Sequence, residues 1–144
     1  TIKKALSVLN NQEILGIFPD GATENDFLGK AKNGAVYLST LAKAPIVPMA
    51  IYGAETAWEG LFRGIRPRVF VNIGKPFGPH KISGSKIEKQ KKLQDIGLDM
   101  MCRIAALLPK NRQRTYKGYM RVKKYQKINN FIPKDHLYYK NKKK

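Results

Sequence analysis

The clearest candidate for a ligand site is a short apolar run that ends in a turn. Residues 14–18 read Ile-Leu-Gly-Ile-Phe, which is typical of a buried strand, and Pro19-Asp20-Gly21 stops that run. Asp20 could accept hydrogen bonds from a hydroxyl group, and Gly21 would let the backbone approach a ligand closely. The competing interpretation is a plain turn, because Pro-Asp-Gly is common turn chemistry.

Composition and charge limit the classes of function. Cys102 is the only cysteine among the 144 residues, so an intrachain disulfide is excluded and a buried thiol is expected. No apolar run approaches the roughly 20 residues that a bilayer span needs. The formal net charge is +18, yet residues 1–60 hold five basic residues and six acids, whereas residues 110–144 hold thirteen basic residues and one acid. This asymmetry indicates an anionic partner, either a phospholipid surface or nucleic acid.

The sequence predicts alternating helices and strands, which would position the candidate residues near the Pro19-Asp20-Gly21 turn. Apolar spacing predicts helices near residues 2–9, 34–43 and 87–108. Short apolar runs predict strands near residues 14–18, 46–52 and 69–73. Pro48 cannot donate to a strand ladder, so an edge, a bulge or a strand start is expected there. The alternation predicts an α/β fold in which the three strands share one mixed sheet, with some parallel pairing, flanked by helices.

Five segments, in order, resemble the motifs of the glycerolipid acyltransferase family, lysophosphatidate acyltransferase type. They are residues 16–21, 32–34, 44–51, 71–76 and 104–119. The first is similar to the Phe-Pro-Glu-Gly block of the family, with Asp20 in place of glutamate. The third has the Val47-Pro48 dipeptide inside an apolar strand, as the fourth block of the family does. The segments cover about residues 5–120, which identifies the chain as the C-terminal part of an incomplete acyltransferase domain.

The resemblance implies acyl transfer from acyl-CoA or acyl carrier protein to the hydroxyl of a lysophospholipid of the 1-acyl-glycerol-3-phosphate type, as in phospholipid biosynthesis. It implies no cofactor and no metal. In the family, a histidine followed after four residues by aspartate acts as the general base. Ser85 stands at that position after His80, and Asn141 after His136. The catalytic pair is therefore expected upstream of Thr1, and the fragment alone is expected to be inactive.

The resemblance also implies which residues contact the acyl acceptor. They are Phe18, Pro19, Asp20, Gly21, Thr23, Lys32 and Gly34. Thr23 stands where the family commonly has an arginine, a bidentate partner for phosphate, and threonine cannot form that fork. Lys30 or Lys32 could supply a positive charge instead. Solvated lysines in a loop and at a helix start are an equally good interpretation.

Two regions are expected: part of an acyltransferase domain over residues 1–120, and a basic, partly disordered tail rich in Tyr and Lys over residues 121–144. Such a tail suits an anionic membrane surface, so we expect a cytoplasmic protein that is peripheral on the inner face of the membrane. The alternative is a basic α/β module that binds nucleic acid or anionic membrane without catalysis. Nucleic acid is the less favoured partner, because the sequence has no zinc-finger spacing or RNA-binding aromatic motif.

Overall fold

The computed structural model describes residues 2–21, 28–54, 57–64, 66 and 68–133. Within these ranges the helices are α1 (Ile2–Asn10), α2 (Gly34–Ala42), α3 (Ala57–Phe62), α4 (Lys86–Ala105) and α5 (Met120–Asn129), and the strands are β1 (Met49–Tyr52) and β2 (Phe70–Ile73). Two short 3-10 turns, Lys110–Arg112 and Arg114–Tyr116, connect α4 to α5. The predicted helices near residues 2–9, 34–43 and 87–108 are confirmed as α1, α2 and α4.

The two strands pair antiparallel, with Met49 opposite Ile73 and Tyr52 opposite Phe70. An isolated bridge extends this pairing, because Ile46 and Phe77 exchange backbone hydrogen bonds of 2.8 and 2.9 Å. Pro48 stands immediately before β1, which confirms the strand start that was one of the expectations for it.

The sheet departs from the prediction in two respects. Residues 14–18 form no strand with any described segment, and the side chain of Ile14 is 97% exposed. The described strands are antiparallel, so the predicted parallel pairing and the single three-stranded sheet are wrong for the described part of the chain. An apolar run indicates that a segment can be buried. A strand also needs a neighbouring backbone that forms hydrogen bonds with it. The coarser prediction holds, since helices pack on a sheet as in an α/β protein.

The two faces of the sheet differ. Ala50 and Tyr52 of β1 point inward and are buried in the core. The other face is exposed and apolar; its paired residues are Met49, Ile51, Val71 and Ile73. Alternation along each strand therefore covers one face with helices, while no described residues bury the other.

Helix α4 is the centre of the core. Met100, Met101 and Cys102 are at most 1% exposed, and Val36 of α2 is buried in the same cluster. The helix starts with a capping box: Glu88 donates its backbone N–H to the Ser85 side chain, and the Glu88 carboxylate accepts the Ser85 N–H at 2.7 Å. This satisfies backbone donors that a helix start otherwise leaves unpaired.

Helix α5 occupies residues that the sequence interpretation had placed mainly in the tail. Val122 and Tyr125 are buried against α4, and Arg121 forms an ion pair with Asp95 at 3.0 Å. The Tyr125 hydroxyl donates a hydrogen bond to the Asp99 carboxylate. The boundary at residue 120 stays a prediction. The partial disorder predicted for residues 121–144 stays untested, because residues 134–144 lie outside the described residues.

Candidate functional site

The candidate site is built on a tight turn over residues 18–21. Gly21 donates its N–H to the Phe18 carbonyl at 3.1 Å, and its φ is +75°, a backbone conformation that favours glycine. The ring of Phe18 is 82% exposed. The predicted turn is therefore present, with its aromatic residue on the surface.

Two hydrogen bonds join this turn to the segment over residues 28–32. Lys32 donates its N–H to the Pro19 carbonyl at 2.7 Å, and Gly29 donates its N–H to Oδ2 of Asp20 at 3.3 Å. Asp20 thus supports the backbone around it, a role that the sequence interpretation had not assigned. The carboxylate does not merely close its own turn, because its partner lies nine residues away.

The Lys32 side chain lies directly against Gly21. A Cβ atom added to Gly21 would lie 2.9 Å from Cε of Lys32 and closer still to its ammonium nitrogen. Glycine at position 21 therefore makes room for the lysine as well as permitting the positive φ. The turn and a cation are brought together although they are separated in the sequence.

An apolar groove of about 260 Å³ opens beside this cation. Its walls combine residues from α1, from the run before the turn and from the start of α2. Those residues are Ile2, Ala5, Leu15, Ile17, Phe18, Pro19, Lys32, Gly34, Ala35 and Leu38. Lys32 is the single charged residue among them, so the groove is apolar with one basic residue in its lining.

The structure gathers most of the predicted contact residues but not all of them. Phe18, Pro19, Lys32 and Gly34 line the groove, and Gly21 contacts Lys32. Asp20 does not line the groove and is turned toward Gly29. Thr23 lies outside the described residues.

Sequence reasoning missed the support that comes from the other end of the chain. The Tyr116 hydroxyl donates to the Gly29 carbonyl at 3.1 Å, across 87 residues of sequence. Gly97 of α4 faces the same segment, since a Cβ there would lie 3.3 Å from Oδ1 of Asn33 and 3.4 Å from Cβ of Ala31. A tyrosine among lysines and a glycine inside a helix were the available signals, but neither identifies its partner.

His80 is not paired with a carboxylate through its buried nitrogen. Its Nε2 has no hydrogen-bond partner among the described residues, and its ring lies 5.9 Å from that of Phe77. Asp95 lines the same shallow groove as His80, yet it accepts a hydrogen bond from Arg121. His136 lies outside the described residues.

Two other features, a metal centre and a membrane-spanning helix, are absent from the described part of the chain. No group of three or more His, Cys, Asp or Glu side chains there could hold a metal ion. Nor does any helix in that part have both the length and the apolar character to cross a bilayer.

Comparison with known proteins confirms the family resemblance. Residues 1–52, which contain the turn, Lys32 and the groove, match the family model described as Acyltransferase. A stretch of 76 residues is 34% identical to the 1-acyl-sn-glycerol-3-phosphate acyltransferase of Bacillus subtilis (strain 168). That stretch covers 53% of this chain and 36% of the relative, so the chain corresponds to about a third of that protein. No solved structure matches the chain.

Proposed function

We propose that this chain supplies the acceptor-binding part of an acyltransferase. The reaction would move an acyl group from acyl-CoA or acyl carrier protein to the hydroxyl of a lysophospholipid of the 1-acyl-glycerol-3-phosphate type. The observation that carries the proposal is the position of Lys32, which lines an apolar groove and has its ammonium against Gly21. A lysophospholipid has the matching pattern, with an anionic phosphate at one end and a hydrocarbon chain at the other.

Different residues along the groove would bind different parts of the lysophospholipid. Lys32 would attract phosphate as a point charge, without the bidentate fork that an arginine provides. Apolar walls such as Ile17 and Leu38 would cover methylene groups, each contributing about 0.8 kcal/mol when fully buried. The turn at residues 18–21 would hold the glycerol end close to the backbone.

The general base of the reaction would come from outside these residues. In the acyltransferase family that the chain resembles, the base is a histidine whose tautomer and position a carboxylate fixes. In the described part of the chain, Nε2 of His80 has no hydrogen-bond partner, and Asp95 is engaged by Arg121. We therefore infer that the isolated chain is catalytically inactive.

A binding titration tests the acceptor site without requiring turnover. The probe is a short-chain lysophosphatidate below its micelle concentration, titrated calorimetrically into the chain. Lys32→Ala should weaken binding about tenfold or more, because a hydrogen bond to a charged group contributes about 1.5–3 kcal/mol. Lys89→Ala, which removes an exposed lysine of α4, is the matched control and should leave the affinity unchanged. Absence of binding by the parent chain, or equal affinities for both variants, contradicts the proposal.

The inactivity of the isolated chain has its own test. The purified chain is incubated with acyl-CoA and lysophosphatidate, and the product is quantified against a blank without protein. We expect no turnover above the blank. Turnover that disappears in His80→Ala or His136→Ala would assign the base to this chain.

An anionic membrane surface is the second proposed partner. Helix α5 places Lys123, Lys124 and Lys127 on its exposed side, next to Met120, which is 86% exposed. Exposed lysines near an anionic leaflet contribute about 1 kcal/mol each, and apolar side chains insert between headgroups. This arrangement favours a peripheral protein on the anionic, cytoplasmic leaflet.

Vesicle sedimentation tests this second proposal. Deletion of residues 121–144 is unsuitable because it removes Val122 and Tyr125 from the core. The double substitution Lys123→Glu/Lys124→Glu should instead reduce binding to vesicles containing phosphatidylserine, with the helix intact by circular dichroism. Equal binding of the parent chain to neutral and anionic vesicles, or tighter binding to DNA, would contradict it.

A further inference from the structure

We propose that Tyr116 is a positioning residue for the acceptor-binding turn, acting through the segment over residues 28–32. The inference rests on the function proposed above for that turn. Tyr116 lies in the short 3-10 turn between α4 and α5, far from residues 18–21 in sequence. It would reach neither substrate nor reacting atoms, and its role would be to fix the groups that do.

A continuous series of contacts runs from Tyr116 to the turn. The Tyr116 hydroxyl donates to the Gly29 carbonyl at 3.1 Å, and the N–H of the same glycine donates to Asp20 at 3.3 Å. Lys32, three residues later, donates its N–H to Pro19 at 2.7 Å and extends its side chain over Gly21. The position of the cation therefore depends on where residues 28–32 are held.

Tyr116 is suited to act as a fixed donor. Only 5% of the residue is exposed, so water does not compete for its hydroxyl. Burial raises the pKa of the Tyr116 hydroxyl above its ordinary value. The hydroxyl thus stays protonated and donates to the Gly29 carbonyl.

Helix α4 holds the same segment from a second direction. Gly97 brings the helix close enough that a Cβ would touch Asn33 and Ala31, and Ala31 and Leu28 pack against the core. Packing against α4 restrains the segment sideways. The Tyr116 hydroxyl also fixes the position of Gly29 along the chain, because its hydrogen bond to the Gly29 carbonyl is directional. Removing the hydroxyl should therefore displace the turn without unfolding the segment.

Tyr116→Phe is the test, and Tyr125→Phe is its matched control. Both tyrosines are 5% exposed, and each donates its hydroxyl within the protein, but Tyr125 donates to Asp99 of α4. Each substitution keeps the ring and should lower the melting temperature. Only Tyr116→Phe should weaken binding of short-chain lysophosphatidate, by about tenfold, because it alone releases the segment that carries Lys32.

Two further readouts separate positioning from plain stability. Amide hydrogen exchange at Gly29 and Lys32 should accelerate in Tyr116→Phe and stay at the parent rate in Tyr125→Phe. In a Lys32→Ala background, Tyr116→Phe should cause no additional loss of affinity, because both changes act on the same group.

Equal loss of affinity in Tyr116→Phe and Tyr125→Phe, or fully additive effects with Lys32→Ala, would overturn the inference. If the parent chain fails to bind the probe, the proposed function fails. The exchange rates at Gly29 and Lys32 then still decide whether Tyr116 positions the turn, and unchanged rates in Tyr116→Phe refute it.

Discussion

Two regions of the molecule differ in how far their apolar side chains are buried. They are the helix pair α4 and α5, and residues 2–21. In α4, Met100 and Met101 are at most 1% exposed, and α5 adds Tyr125 to the same core. Helix α1 contains no buried residue, and Ile14 is 97% exposed. Similar apolar content thus supports a packed core in one region and an open surface in the other.

This difference separates stability from recognition. Substitutions in the α4–α5 region remove contacts on every side of a side chain, so their cost should appear in the free energy of unfolding. Substitutions around residues 14–18 remove few contacts, so their effects should appear in ligand binding. Four predictions test this separation, from the largest expected effect to the smallest.

Met101→Ala should lower the free energy of unfolding by about 2–5 kcal/mol, because it leaves a cavity where the side chain is fully buried. Urea denaturation followed by circular dichroism measures the change. The matched substitution Ile14→Ala should stay within about 0.5 kcal/mol of the parent chain. A cost below about 1 kcal/mol for Met101→Ala would mean that the two regions do not differ as described.

Stability should fall steeply at alkaline pH because of Tyr125. Burial raises the pKa of the Tyr125 hydroxyl from 10.0 to about 12, and its hydrogen bond to Asp99 adds to the shift. In the unfolded chain this tyrosine ionises near pH 10. Its contribution to the free energy of unfolding is therefore fully present below pH 10 and is lost as the pH rises toward 12.

The loss attributable to this one group is up to about 3 kcal/mol. Urea denaturation at several pH values between 9 and 12 should show a shallower decline for Tyr125→Phe than for the parent chain. Part of the decline should persist, because the pKa of Tyr116 is raised as well. Parallel curves for the parent and Tyr125→Phe would contradict the prediction.

Ser85→Ala should destabilise the protein by about 1 kcal/mol, because it removes the side-chain half of the capping box at the start of α4. Ser83→Ala, two residues earlier and outside the helix, is the control and should have little effect. Thermal unfolding of both variants measures the difference. A melting temperature for Ser85→Ala equal to that of the control would show that the cap does not stabilise the core helix.

Phe18→Ser should change the free energy of unfolding least, within about 0.5 kcal/mol, because its ring is 82% exposed. It should still weaken binding of short-chain lysophosphatidate several-fold, since the ring is one wall of the groove. Calorimetric titration alongside urea denaturation separates the two effects. A large stability loss with unchanged affinity would reverse the assignment of this region to recognition.

Apolar periodicity predicted the elements that are determined by residues close to one another in the sequence. Helices α1, α2 and α4 and the two paired strands follow from apolar spacing and turn residues. Helix α5 was missed because basic residues dominate its composition, although Val122 and Tyr125 have helical spacing on a buried face. The strand predicted at residues 14–18 failed because pairing requires a partner backbone, which no pattern within the run encodes.

The candidate site was predictable in its parts but not in its arrangement. Motif resemblance indicated residues 18–21, Thr23, Lys32 and Gly34, and four of these residues line one groove. The bond between Asp20 and Gly29 and the contact from Tyr116 depend on tertiary packing. A single sequence provides no signal for such long-range pairs.

The distance in sequence between Tyr116 and Gly29 also sets an order of events in folding. The contact between Tyr125 and Asp99 joins residues 26 positions apart in the sequence. The contact between Tyr116 and Gly29 joins residues 87 positions apart. Loop-closure entropy makes the longer closure about 1 kcal/mol more costly, so the two helices should dock before the turn is fixed. The same asymmetry applies in reverse to native fluctuations, in which residues 28–32 should detach while α4 and α5 stay together. Each molecule would thus acquire its ligand-binding geometry last during folding and lose it first on warming.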